Sequence, residues 1–179
     1  MSAKRDPEVI DLSGDDEAGG AAAPAAPPPA PAPAARGFRL EERRGDLFSA
    51  PDDVSLAHCV AEDLRLGRGI ATVFKERFGG VDDMQRQNVR TGGVAVLRRG
   101  RRFIYALVTK KTSSRCWPTL AALRESLLAL KRRLASDGVK SLAMPRIGCG
   151  LDKLDWPAVR ATLQEVFADT DVTITVYSL

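Results

Sequence analysis

From residue 38 onward the apolar positions fall into two alternating patterns: short apolar or β-branched runs, and longer stretches with apolar residues three and four apart. "VSLAHCVA" (54–61) predicts a strand, and "GIATVFKERFG" (69–79) a helix that stops at Gly79-Gly80. "VAVLRRGRRFIYALVTK" (94–110) predicts two strands turning at Arg99-Gly100. "TLAALRESLLALKRRLASDG" (119–138) sets Leu120, Leu123, Leu127, Leu130 and Leu134 on one helical stripe closed by Gly138. "VKSLAMPRI" (139–147) reads as a buried strand, "WPAVRATLQEVFADT" (156–170) as a helix with Pro157 in its first turn, and "VTITVYSL" (172–179) as a terminal strand. Strands alternating with helices predict an α/β fold. The sheet should be mostly parallel and covered on both faces, with ligands bound at the carboxyl ends of its strands.

Residues 1–37 follow a different rule. "GGAAAPAAPPPAPAPAARG" (19–37) has almost nothing to bury and predicts an extended, disordered linker, so the folded domain should occupy 38–179. Ahead of it, "EVIDLSGDDE" (8–17) joins Val9, Ile10 and Leu12 to a run of acids. It resembles a SUMO-interacting motif, which adds a strand to a partner's sheet edge; the alternative is a chance apolar triplet in an acidic tail.

Charge divides at nearly the same place. Residues 1–44 carry 6 Lys/Arg against 8 Asp/Glu and the remainder 21 against 15, leaving residues 45–179 at net +6. That favours anionic partners, or is ordinary solubilising surface. No run reaches the roughly 18 apolar residues of a membrane span, so a soluble intracellular protein with no membrane partner is expected. Cys59, Cys116 and Cys149 are odd in number and far apart, with only His58 to join them. They read as free thiols, with no metal site.

The candidate chemistry lies in two loops between a strand and a helix, "LRLGRGIA" with Gly67 and Gly69, and "RIGCGLD" with Gly148 and Gly150. Glycines there let backbone N–H groups approach an anion, although either loop alone also suits a plain tight turn. Two in one small domain point to a diphosphate clamp. Neither has the Lys-Ser/Thr of a P-loop, and the first lacks the third glycine of a dinucleotide fingerprint, which removes ATPase and dehydrogenase readings.

"RGDLF" (44–48), "SLAHCVAEDLRLGRGIA" (55–71), "FKERFGG" (74–80), "YALVTKK" (105–111) and "MPRIGCGLD" (144–152) follow in the order found in macrodomains. The folded part resembles that family, and within it the terminal ADP-ribose protein glycohydrolases. The resemblance runs from Gly45 to Leu179 and implies a three-layer α/β/α macrodomain with a mixed, mostly parallel sheet. It implies that Asp46 accepts from the adenine amino group beside the Leu47 backbone, where an Asx turn is the ordinary role of such a residue. Gly67, Gly69 and Ile70 would flank one side of the diphosphate, and Arg146, Ile147, Gly148, Cys149, Gly150 and Leu151 the other. Leu179 would border the ligand.

The same resemblance matches Lys110 and Asp152 to the family's catalytic pair. Taken alone, they read as a solvated strand-end lysine and a helix cap. In the implied reaction Lys110 attacks the anomeric carbon of the distal ribose, releasing a Glu or Asp carboxylate, and Asp152 moves the protons that resolve the lysyl intermediate with water. A carboxylate beside an amine also favours the unreactive ammonium, so something must offset it. Lys111 should point the other way. Ala61 stands where the family has a ligand-contacting serine, and Arg68 either meets the diphosphate or points into solvent.

The expected function is therefore an ADP-ribose glycohydrolase acting on ADP-ribosylated proteins, with deacylation of O-acyl-ADP-ribose as a related activity and no cofactor. Expected partners are ADP-ribose, poly(ADP-ribose) and SUMO. A monomer is expected, nuclear and nucleolar with a cytoplasmic share. A non-catalytic ADP-ribose or poly(ADP-ribose) binding module is the alternative, and a general RNA-binding domain is weaker because exposed interleaved aromatics are missing from the strands.

Overall fold

The computed structural model describes residues 37–114 and 116–179; the Ala/Pro-rich tail with Val9, Ile10 and Leu12 lies outside the described residues. Six strands, β1 (Arg39–Arg44), β2 (Ser55–Ala61), β3 (Val94–Arg99), β4 (Arg102–Lys110), β5 (Ser141–Pro145) and β6 (Thr173–Ser178), form one sheet in the order β1-β6-β5-β2-β4-β3. Every pairing is parallel except the β3–β4 hairpin. The sheet is thus mixed and mostly parallel, as expected.

Helices α1 (Ile70–Phe78) and α2 (Val81–Arg86) cover one face, and α3 (Leu120–Asp137) and α4 (Trp156–Phe167) the other. Strand β4 explains why both faces need cover. Tyr105 and Leu107 pack with the α3–α4 core, while Ile104, Ala106 and Val108 pack with Phe74 of α1 and Met84 of α2. A strand apolar on both sides gains only when helices bury both.

On α3 the stripe of Leu123, Leu127, Leu130 and Leu134 is fully buried, each side chain contributing about 2 kcal/mol relative to exposure. Leu120, expected on the same stripe, is instead 38% exposed at the first position of the helix. Thr119 caps that turn by accepting from the Ala122 N–H, and Gly138 closes the helix in a left-handed conformation. Three elements escape the apolar pattern. Strand β1, "RLEERR", is a charged edge strand that exists through its parallel pairing with β6. Helix α2 and a single 3-10 turn at Leu47–Ser49 are too short to show a period.

Candidate active site

The carboxyl ends of β2, β4 and β5 meet under a cleft of about 690 Å³, within the range of small-molecule sites. Its walls are the β2–α1 loop with Gly67 and Gly69, the β5–α4 loop with Gly148 and Gly150, and the loop after β4 with Ser113, Ser114, Cys116 and Trp117. Lys110, the last residue of β4, and Asp152, in the β5–α4 loop, line the floor together.

A break in register sets the lysine there. Val60 pairs with Val108, but Ala61 pairs with Lys110, so Thr109 is an extra residue bulged out of the β2–β4 ladder. In an unbroken strand Lys110 would share the phase of Ile104, Ala106 and Val108 on the α1 face. The bulge shifts it into register with Ala61, on the phase of Ala57 and Cys59. The Lys110 carbonyl then accepts from the Glu62 N–H at 3.0 Å, which fixes the strand end. Lys110 Nζ and Asp152 Oδ1 are in direct contact, with side chains only 15% and 14% exposed. A charged pair so shielded is held far more firmly than a surface ion pair.

Cys59 sits beneath this pair. Burial, reinforced by the Asp152 carboxylate, pushes its thiol up to about 12, so it stays protonated and neutral under the pair. On the other face of β2, His58 is fully buried and stacked on Phe74, with ring centroids 3.9 Å apart. Among the described residues neither of its ring nitrogens has a hydrogen-bond partner, and burial pushes it down to about 3. It is a neutral core residue remote from the cleft chemistry.

The loops are braced rather than loose. Leu64 and Leu66 are buried although both have positive φ, 43° and 47°, an unfavourable conformation for bulky residues that their burial offsets. Asp63 accepts from the Ser113 N–H at 2.9 Å and from its hydroxyl, tying the β2–α1 loop to the loop after β4. Burial opposes ionisation of Asp63, but the Ser113 bonds and Arg65 outweigh it and hold the carboxyl below its ordinary range. On the opposite wall the Leu154 N–H donates to the Gly148 carbonyl at 2.8 Å.

Of the residues expected at the site, Ala61, Gly67, Gly69, Ile70, Lys110, Arg146, Ile147, Gly148, Gly150, Leu151 and Asp152 all line the cleft. Arg146 does so with its guanidinium engaged elsewhere, 3.1 Å from Glu42 and over the Trp156 ring. Cys149 lies behind the wall, its thiol donating to the Ile147 carbonyl. Asp46 caps the 3-10 turn by accepting from the Phe48 N–H at 2.9 Å, Leu47 is buried, and Leu179 is 97% exposed. These last three sit together where the Gly45 N–H meets the Ser178 carbonyl, at the ends of β1 and β6. Arg68 is exposed and lines the cleft, and Lys111 is exposed outside it. Asp63, Ser113 and Trp117 were not foreseen, since no motif marks a residue whose role is to join two loops. No group of three or more His, Cys, Asp or Glu suited to a metal occurs among the described residues.

With this geometry in view, known proteins give a consistent comparison. No protein-family model matches the chain. ADP-ribose glycohydrolase OARD1 from Homo sapiens and from Bos taurus is in each case 51% identical over 143 residues, covering 80% of this chain and 93% of the relative. The macrodomain of Thermus aquaticus DarG superposes with a TM-score of 0.72 at 30% identity, covering 80% of this chain and all of the neighbour.

Proposed function

Because the chain belongs to the ADP-ribose glycohydrolase OARD1 family, with the macrodomain fold, we propose that it hydrolyses the ester joining ADP-ribose to a Glu or Asp side chain of a modified protein. The observation that carries this reading is the contact between Lys110 and Asp152 on the floor of a cleft walled by two glycine loops. The glycine loops suit a diphosphate, which leaves the distal ribose over the pair.

The pair divides the chemistry. Transfer of a proton from Lys110 to Asp152 within their contact frees the amine lone pair. That nitrogen forms a bond to the anomeric carbon as the ester C–O bond breaks, and the carboxyl group of the target protein leaves with the proton that Asp152 had taken, so Asp152 is ionised again. Water then adds to the same carbon. Asp152 takes the water's proton and returns one to the lysine nitrogen as the C–N bond breaks, so ADP-ribose departs and the amine is regenerated.

Release of ADP-ribose from a glutamate-linked substrate tests the proposal. Turnover by the wild type and its loss in both Lys110→Ala and Asp152→Ala are expected. Tight ADP-ribose binding without release by the wild type would select a binding module instead.

The proposal extends to the family's wider setting: the modification on nuclear proteins after DNA damage, poly(ADP-ribose) as a further ligand, and SUMO through Val9, Ile10 and Leu12. Replacing those three residues together should abolish SUMO binding and leave hydrolysis intact; unaltered binding would reject the motif.

A further inference from the structure

Two large apolar side chains at the cleft stand out against the rest of the surface. Trp117 and Leu151 line it and are 63% and 62% exposed. Scattered exposed leucines need no explanation, but a mostly solvated tryptophan lining the same cleft as a second exposed apolar group does. Leu151 and Lys153 flank Asp152 directly in the chain. The Lys153 ammonium lies 5.0 Å over the Trp117 ring, so the aromatic and the cation bridge the mouth beside the reacting pair.

Both halves of this bridge are built. Lys153 has a φ of 58°, a left-handed backbone that costs a non-glycine residue about 1 to 2 kcal/mol, fixed by its N–H donating to the Gly150 carbonyl. Trp117 is followed by buried Pro118 and by Thr119, the cap of α3, and Asp63 ties down Ser113 at the start of the same loop. The fold therefore holds an exposed aromatic and a strained lysine in place.

We propose that Trp117, Leu151 and Lys153 form the docking rim for the acidic peptide segment that carries the modified Glu or Asp. The inference rests on the glycohydrolase reading, because ADP-ribose on the glycine loops with its distal ribose over Lys110 leaves the ester's protein side to exit past Asp152. Charge argues for the occupant. The exposed cations Lys153 and Arg68 edge the rim, while the nearby Asp63 carboxylate is consumed by Ser113. Lys153 would meet carboxylates beside the modified residue, and the faces of Trp117 and Leu151 would cover the peptide's aliphatic atoms.

The test compares two substrates with the same bond, a glutamate-modified acidic peptide and the ADP-ribose ester of free glutamate. Lys153→Glu and Trp117→Ala should each lower kcat/KM on the peptide by about tenfold, through KM. Lys153→Glu should leave the free-glutamate ester within about twofold, and Lys153→Arg should keep the wild-type peptide value. Equal losses on both substrates, or none on either, would overturn the rim. A wild type inert on both would overturn the glycohydrolase reading beneath it. A melting temperature held by Lys153→Arg and Lys153→Glu alike separates lost docking from lost folding.

Discussion

The two glycine loops look alike in the sequence, one residue between two glycines with a strand before and a helix after, yet the fold needs opposite members of each pair. In the β2–α1 loop the second glycine is obligatory. Gly69 adopts φ 59° and ψ −147°, a region that side chains avoid. In the β5–α4 loop it is the first: Gly148 has φ 72°, and a Cβ there would stand 2.7 Å from Leu154 Cδ1. The remaining two, Gly67 and Gly150, have no positive φ, and a Cβ on either would meet no protein atom within 4 Å. Folding does not account for them. Both line the cleft, and the proposed reading assigns them to the close approach of a ligand.

The supports beneath the loops differ too. The second rests on β5 and α4, whose core side is apolar, whereas the first rests on β2 and α1 over the buried ring of His58. An unfolded chain protonates that ring near its ordinary value of 6.5, and the folded chain only near 3. The unfolded state therefore binds more protons across that window, and stability falls as pH drops through it. The loss approaches about 4 kcal/mol at its acid end. His58→Leu should remove this component and be at least as stable as the wild type at neutral pH, since it also deletes two unpartnered nitrogens. Denaturant titrations from pH 7 to pH 4 check it; parallel curves for the two proteins would reject the assignment.

Smaller effects separate the glycines. Gly148→Ala and Gly69→Ala should each cost about 2 kcal/mol of stability, the first through backbone strain and contact with Leu154, the second through backbone strain alone. Gly67→Ala and Gly150→Ala should change stability by less than about 0.5 kcal/mol, or raise it slightly through the unfolded chain. Calorimetry should nonetheless show their ADP-ribose affinity falling about tenfold, as expected where a methyl group displaces a ligand from the backbone. Normal affinity in both would mean that no ligand approaches these glycines, and the comparison would collapse.

Much of this was legible in the sequence because it is local. The α3 leucine stripe, the Gly79 and Gly138 stops, the Arg99-Gly100 turn and Pro157 at the start of α4 each depend on a few neighbouring residues. Strand β1 was not legible from its pattern, since Arg39–Arg44 has Leu40 as its one apolar residue and becomes a strand only when β6 supplies its hydrogen bonds. Leu120 shows the converse limit: its spacing matches the stripe, yet at the first position of α3 it stays 38% exposed. At the site, the family resemblance paired Lys110 with Asp152 although they stand on two separate motifs. Their contact depends on the Thr109 bulge, and a one-residue slip in register leaves no mark in composition or period. The Asp63–Ser113 tie and the Lys153–Trp117 bridge likewise join segments that only the fold brings together.

The central claim is that Lys110 is the nucleophile and Asp152 its proton partner. Mass spectrometry of the protein quenched during turnover of a glutamate-linked mono-ADP-ribosylated substrate tests it most directly. The predicted result is an ADP-ribosyl group on Lys110 in the wild type, absent from Lys110→Ala, with release of free ADP-ribose lost in Lys110→Ala and Asp152→Ala by about a thousandfold or more. Undiminished release by Lys110→Ala, or an adduct on another residue, would contradict it.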